Sequence, residues 1–305
     1  MVTQNAYHRQ RMIKYYHRHG ATKTSVRYKV SRKTIYKWLG RDDGSIGSLR
    51  DRSHKPRSHP RQHSEAELAL IRRYINRNGR KDLLLTYQKL RDEKGYKRHY
   101  GSFKRVVIRM FGSGKKKNVN KKPKEYQRAD YPGQKIQIDV KYVPSCCVVV
   151  GGEKYYQFTA VDECTRWTFR EMYNELSTYS AKNFLIKLVV NAPFPIREVQ
   201  TDNGTEFTNS LLVIKAKHKT LFEQALEYMG ILYHRIRIAT PRHNGKVERQ
   251  HRTDQLRFYD KMRMYNLADG RKQLAFYQAK SNNHIKICLK FRSPNQVLED
   301  YLHIM

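Results

Sequence analysis

The sequence predicts a multidomain chain: all-α helix-turn-helix units at the N-terminus, then an α/β domain with a mixed five-stranded sheet. Three observations predict it. Apolar residues recur at helical spacing as far as about residue 111, strand-like and helical segments alternate from residue 132, and two runs between them are too basic and too poor in apolar residues to bury a core. The division gives helix-turn-helix at 1–43, basic linker at 44–63, second helix-turn-helix at 64–111, basic linker at 112–131, α/β core at 132–265 and helical extension at 266–305.

The 305 residues hold 62 Lys and Arg against 27 Asp and Glu, a formal net charge of +35. The excess is concentrated before residue 131, which is the electrostatic footprint of a polyanion binder, most simply nucleic acid. No apolar run is long enough for a membrane span, and the four cysteines form no CxxC pair, so the expectation is a cytoplasmic, DNA-associated protein with reduced thiols and no membrane partner.

In the first unit, Met12, Ile13 and Tyr16 fall on one helical face and Gly20 stops it. Ser31 suits the cap of a following helix whose buried side is Ile35, Trp38 and Leu39. Arg32, Lys33, Tyr36 and Lys37 then point outward, suited to phosphates and base edges in a major groove. The Pro- and Arg-rich stretch after Gly44, with Arg50 and Arg52, reads as an extended segment able to lie along DNA. In the second unit Ser64 and Glu67 have the spacing of a capping box.

In the core, "QKIQIDVKYV", "KYYQFTAVDE", "RWTFREMY", "REVQTDNG" and "ILYHRIRI" read as strands, and "STYSAKNFLIKLVVNA" as a helix. "SLLVIKAKHKTLFEQALEYMG" and "GKVERQHRTDQLRFYDKMRMY" read as long helices. Asp139 lies inside the first strand, Asp202 ends the fourth, and Glu248 lies early in the late helix. Strand ends of such sheets converge on one crevice, and three carboxylates there suit Mg²⁺, with a pair of ions flanking a phosphodiester displacement. Asn203 and Gly204 suit a positive-φ turn. Lys246 and Arg252 are candidates for gripping DNA. Glu206 is expected to leave the sheet with its loop, and Asp162 and Glu163 to sit in a turn or pair with Arg166 and not to bind metal.

The segments "KIQIDVKYV", "FTAVDECTRWTF", "VQTDNGTEF" and "RIRIATPRHNGKVERQHRT" resemble the retroviral-integrase-like core of bacterial insertion-sequence DDE transposases. The resemblance implies a ribonuclease-H-like fold, with Asp139, Asp202 and Glu248 as the triad and two Mg²⁺ ions that Mn²⁺ replaces. It also implies double-stranded DNA at the element ends and at the target, an assembly of at least two copies on DNA, and cleavage followed by joining of freed 3′-hydroxyls. The 45 residues between Asp202 and Glu248 exceed the family's usual spacing. Two alternatives stand beside this reading: an inactive, regulatory DNA-binding protein, which loss of a triad acid would favour, and a metal-dependent nuclease of the same fold.

Overall fold

The computed structural model describes residues 4–53, 62–112, 129–209, 218–236 and 244–302. Residues 54–61 of the first predicted linker, most of the second, and the expected helix start near residue 210 lie outside them. Among the described residues no helix is long and apolar enough to cross a membrane. The chain forms two compact units, Met1–Ser64 and Glu65–Met305.

The first unit pairs α1 (Gln4–Tyr28) with α2 (Arg32–Leu39). Gly20, at φ 74° and ψ 175°, breaks α1 into two helical segments where the sequence predicts a stop. The Ser31 side chain accepts the Thr34 N–H and starts α2. Ala6, Met12, Ile13, Ile35 and Trp38 close a small core. Leu49 completes it, fully buried, and Arg9 donates to its carbonyl at 2.8 Å while pairing with Asp51. Residues 44–53 are therefore folded back on the helices instead of extended, because Leu49 is the apolar residue that this core lacks.

The second unit begins with α3 (Glu65–Asn78), α4 (Leu83–Lys94) and α5 (Tyr100–Phe111). They pack around Ile71, Leu90 and Phe103, and Ile285 from the C-terminal segment joins the same core. The sheet follows: β1 (Ile136–Tyr142), β2 (Tyr156–Asp162), β3 (Thr168–Tyr173), β4 (Glu198–Thr201) and β5 (Leu232–Arg235), in the order β3-β2-β1-β4-β5. β1–β2 and β2–β3 are antiparallel, whereas β1–β4 and β4–β5 are parallel. This is the mixed five-stranded sheet that the strand pattern predicts.

Alternation along β1 sorts its side chains. Ile136 and Ile138 join Phe158, Phe169 and the buried side of α6 (Thr178–Asn191) in the main core, together with Phe222 and Leu226 of α7 (Leu221–Tyr228). Gln137 and Asp139 face the other way, toward α8 (Gly245–Asp254), while α9 (Leu267–Ser281) covers β3. α10 (Pro294–Leu302) closes the chain.

Two helices are shorter than their sequence patterns suggest. A capping box between Thr220 and Glu223 sets the start of α7, so residues 218–220 are not helical. α8 passes into one π-helical turn at Gln255–Tyr259 and ends there, since its tail buries Phe258 and Tyr259 in a separate cluster with Met262, Met264 and Tyr277.

Candidate active site

The sheet register brings the first two acids together. Ile136 pairs with Val199 and Gln137 with Gln200 across the parallel β1–β4 ladder. Two steps further, just past the end of β4, the same register sets Asp202 beside Asp139. The Asp202 carboxylate accepts the Gly204 N–H at 3.1 Å, and the Asn203 amide donates to the Ile236 carbonyl at 2.9 Å, so the loop is tied to the end of β5.

Glu248 arrives on the first turn of α8. The first N–H groups of a helix have no partner within it, and here the Gln137 side-chain oxygen takes those of Lys246 (3.1 Å) and Val247 (3.3 Å). Gln137 is itself held by the buried Glu163. The Asn244 amide adds a bond to the Ile138 carbonyl at 3.4 Å. The helix that carries Glu248 is thus fastened to the strand that carries Asp139.

The electrostatics fit this convergence. Burial, then the negative charge of Asp202, push the Asp139 carboxyl up to about 7, with Glu248 and Glu206 adding to the effect against one opposing bond from the Val140 N–H. Asp139 with the carboxylates that act on it forms a hard oxygen-donor set short of positive charge, which fits a divalent cation such as Mg²⁺. Among the described residues, no three His, Cys, Asp or Glu side chains already stand together as a ligand cluster.

Two expectations about this loop change. Neither Asn203 nor Gly204 has positive φ. Glycine at 204 leaves the space that the Glu206 carboxylate occupies, since a Cβ there would lie 2.6 Å from it. Nor does Glu206 leave with the loop: the turn closed by the Phe207 and Thr208 N–H groups on the Gly204 carbonyl folds it back, and only 8% of it is exposed. Burial, reinforced by Asp202, raises its carboxyl. A small residue two places before an acid was the available signal.

His251, which the sequence reading passes over, lies one turn beyond Glu248, with Nδ1 3.5 Å from an Asp139 carboxylate oxygen. Burial drives its imidazole down to about 4, so the ring is neutral, and its Nε2 is buried with no hydrogen-bond partner among the described residues. Below it, the fully buried Arg170 and Asp254 form a two-point ion pair at 2.8 and 3.0 Å. Gln157, Gln250 and Tyr277 also donate to Asp254, fixing α8 to β2, β3 and α9. Burial pushes Asp254 up, but Arg170 and these donors hold it below the usual carboxylate range.

The remaining candidates divide. Asp162 is the last residue of β2, and its carboxylate accepts from Gly133 and Thr165 at the start of the turn that follows. Lys246 pairs with Glu163 at 2.8 Å, so its ammonium is directed to the protein interior. Arg252 is exposed on α8. In the first unit Arg32, Lys33, Tyr36 and Lys37 are all exposed along α2, and Arg50 and Arg52 are exposed beyond it.

Residues 129–241 match the family model described as "Integrase core domain", and residues 4–64 match the IS630-type helix-turn-helix model described as "Transposase". The integrase-like ORF3 protein of Spiroplasma virus SpV1-C74 is 31% identical over 168 residues, covering 52% of this chain and 46% of its own length. The chain therefore spans about half the length of that curated relative. Similar solved structures include one of a simian T-cell lymphotropic virus intasome in complex with PP2A regulatory subunit B56 gamma: 14% identity, 65% of this chain, 66% of that chain, TM-score 0.45. Another is the BIV integrase catalytic core domain: 17% identity, 56% of this chain, 97% of that chain, TM-score 0.40. The chain thus joins a transposase-type helix-turn-helix region to an integrase core domain, the domain make-up of an insertion-sequence transposase with an integrase-like core.

Proposed function

We propose that this chain binds the ends of a mobile DNA element, cleaves there to free 3′-hydroxyls and joins them to target DNA, with Asp139, Asp202 and Glu248 as the catalytic carboxylates. The observation that carries the reading is the β1–β4 register, which sets Asp202 beside Asp139, together with the Gln137 cap that brings Glu248 on α8 to the same strand. Divalent cations held by these carboxylates would supply positive charge to the attacking and leaving oxygens of a phosphodiester. The chain's own part is positional. Gln137, the Asn203 bond to Ile236 and the Arg170–Asp254 pair fix the elements that present the acids. Neutral His251 meets Asp139 without adding a competing cation. The exposed basic face of α2 suits recognition of the ends, and several copies on paired ends are part of the same reading.

The test supplies pre-cleaved end duplexes, target DNA and Mg²⁺ to the full chain and to Asp139→Asn, Asp202→Asn and Glu248→Gln. The expected result is joining by the parent and loss of at least a hundredfold in each variant, with end binding retained. Cleavage without joining by the parent would make it a nuclease of the same fold. Mg²⁺-dependent joining by any one variant would remove that residue from the site.

A further inference from the structure

The second unit contains a basic cleft outside the carboxylate site. Its walls are the α3–α4 turn with Arg80 and Lys81, Lys104 of α5, one side of α8, and the segment from His284 to Cys288. It encloses about 940 Å³ and is lined by nine lysines and arginines, of which Lys246 is paired with Glu163 and Arg257 with Asp82. Through shared walls at Lys81, Lys104 and Arg257 it runs into a second cleft of about 1010 Å³ that reaches Lys89 and Lys261.

Resting on the transposase reading above, we propose that this cleft is a second DNA-binding surface, which takes the sugar-phosphate backbone of the strand adjoining the reacting phosphate. A solvated basic face would carry its charges on convex surface. Here they line a concavity with apolar walls, which focuses potential and favours a polyanion. The walls are also held in place. Asp82 caps α4 through the Leu85 N–H at 3.1 Å, and the same carboxylate binds Arg257, just beyond α8, at 2.6 and 3.3 Å. One bridge therefore fixes the spacing between the helical walls and neutralises only one of the cations.

Helix geometry links the cleft to the acids. Successive residues on a helix turn by about 100°. Arg252, one turn after Glu248, lies between the carboxylate and the side of α8 that carries Gly245, Arg249 and Leu256 into the cleft. A strand whose phosphate reaches Glu248 continues past Arg252 toward Arg249, Lys81 and Lys104. All four cations are exposed.

The experiment measures binding of an end duplex by the full chain over a range of salt, comparing the parent with the triple variant Lys81→Gln, Lys104→Gln, Arg249→Gln. Each lost phosphate contact lowers the slope of log affinity against log salt by about 0.9, so the expected fall is about 2 to 3. Neutralising three exposed lysines outside the lining, Lys154, Lys272 and Lys280, should change it by less than about 1. Matching thermal unfolding of all three proteins establishes that folding is intact. An unchanged slope in the cleft variant overturns the proposal, as does a change seen with an RNA duplex alone. If the parent neither cleaves nor joins DNA yet the slope falls, the cleft stands and the transposase reading fails. Joining by the parent with no slope change is the reverse.

Discussion

The side-chain oxygen of Gln137 accepts the main-chain N–H of Val247 at 3.3 Å, so one glutamine on β1 ends the unpaired start of the helix that carries Glu248. Gln137 and Asp139 are two residues apart on one strand, and the bond therefore fixes the position of Asp139 relative to Glu248, two of the proposed catalytic acids. Gln137→Leu keeps the size but leaves buried N–H groups unsatisfied, which costs about 1–3 kcal/mol. Denaturant unfolding should show that loss. Joining should fall by about tenfold or more, since small misplacement of reacting groups is costly. Full activity in a destabilised protein would show that the cap serves only the fold.

Crowded carboxylates predict an effect of metal on stability. In chelator, Asp139→Asn removes one of the clustered charges and should unfold at a higher temperature than the parent. Mg²⁺ at about ten times its dissociation constant should stabilise the parent by about 1.4 kcal/mol and the variant by much less. Equal gains in both proteins would place the binding elsewhere.

Gly204 and Glu206 form a second coupled pair. A Cβ at 204 meets the tip of a side chain that is able to swing out, so Gly204→Ala should cost less than about 1 kcal/mol while expelling Glu206 from the cluster. Glu206→Gln removes the same charge in place. Each change should lower joining several-fold, and the double variant should be no worse than the more severe single one. Additive losses would separate the two residues.

Much of this was legible in the sequence because strand alternation and helix caps are local signals. The five strands, Ser31 as a cap and the break at Gly20 all follow from neighbours within a few residues. The three acids proposed as catalytic stand out in the sequence as types at telling places, one inside a strand, one at a strand end and one on a first helical turn. What was hidden depends on partners far along the chain. Gln137 reaches residues 246 and 247, Arg170 reaches Asp254, and Leu49 fills a core built from residues 6–38. Glu206 was misjudged because its direction depends on the space left at Gly204 and not on its own propensity.

Lys286 gives a pH dependence. Its ammonium donates to the Gln250 side chain at 2.8 Å, and burial foremost, with the charge of Arg170 beside it, holds it down to about 8. The folded chain thus releases a proton that the unfolded chain keeps until its ordinary range near 10.4. The cost of the buried charge is fully present below pH 8 and is relieved between pH 8 and 10, so this lysine makes the parent more stable as pH rises through that window, by about 1–3 kcal/mol. Lys286→Met should lack the rise. Groups common to both proteins cancel in the difference, and parallel stability curves from pH 7 to 10 would mean that Lys286 stays protonated.

The last prediction concerns the first unit, whose core is closed by its own residues from Ala6 to Leu49. A body complete in itself is able to hold one DNA end while the carboxylates of another copy act on it. Arg32→Ala with Lys37→Ala, both on the exposed side of α2, should weaken end binding by about tenfold or more and lower the salt slope by about 2. That protein still carries all three proposed catalytic acids, whereas Asp139→Asn keeps an intact α2. Each alone should join little or no DNA. Mixed at equal amounts, the Asp139→Asn copies hold the ends and the α2-variant copies supply the carboxylates, and joining should return to a sizeable fraction of the parent's. Folded mixtures that stay inactive across a range of ratios would mean that each copy acts only on the end it binds.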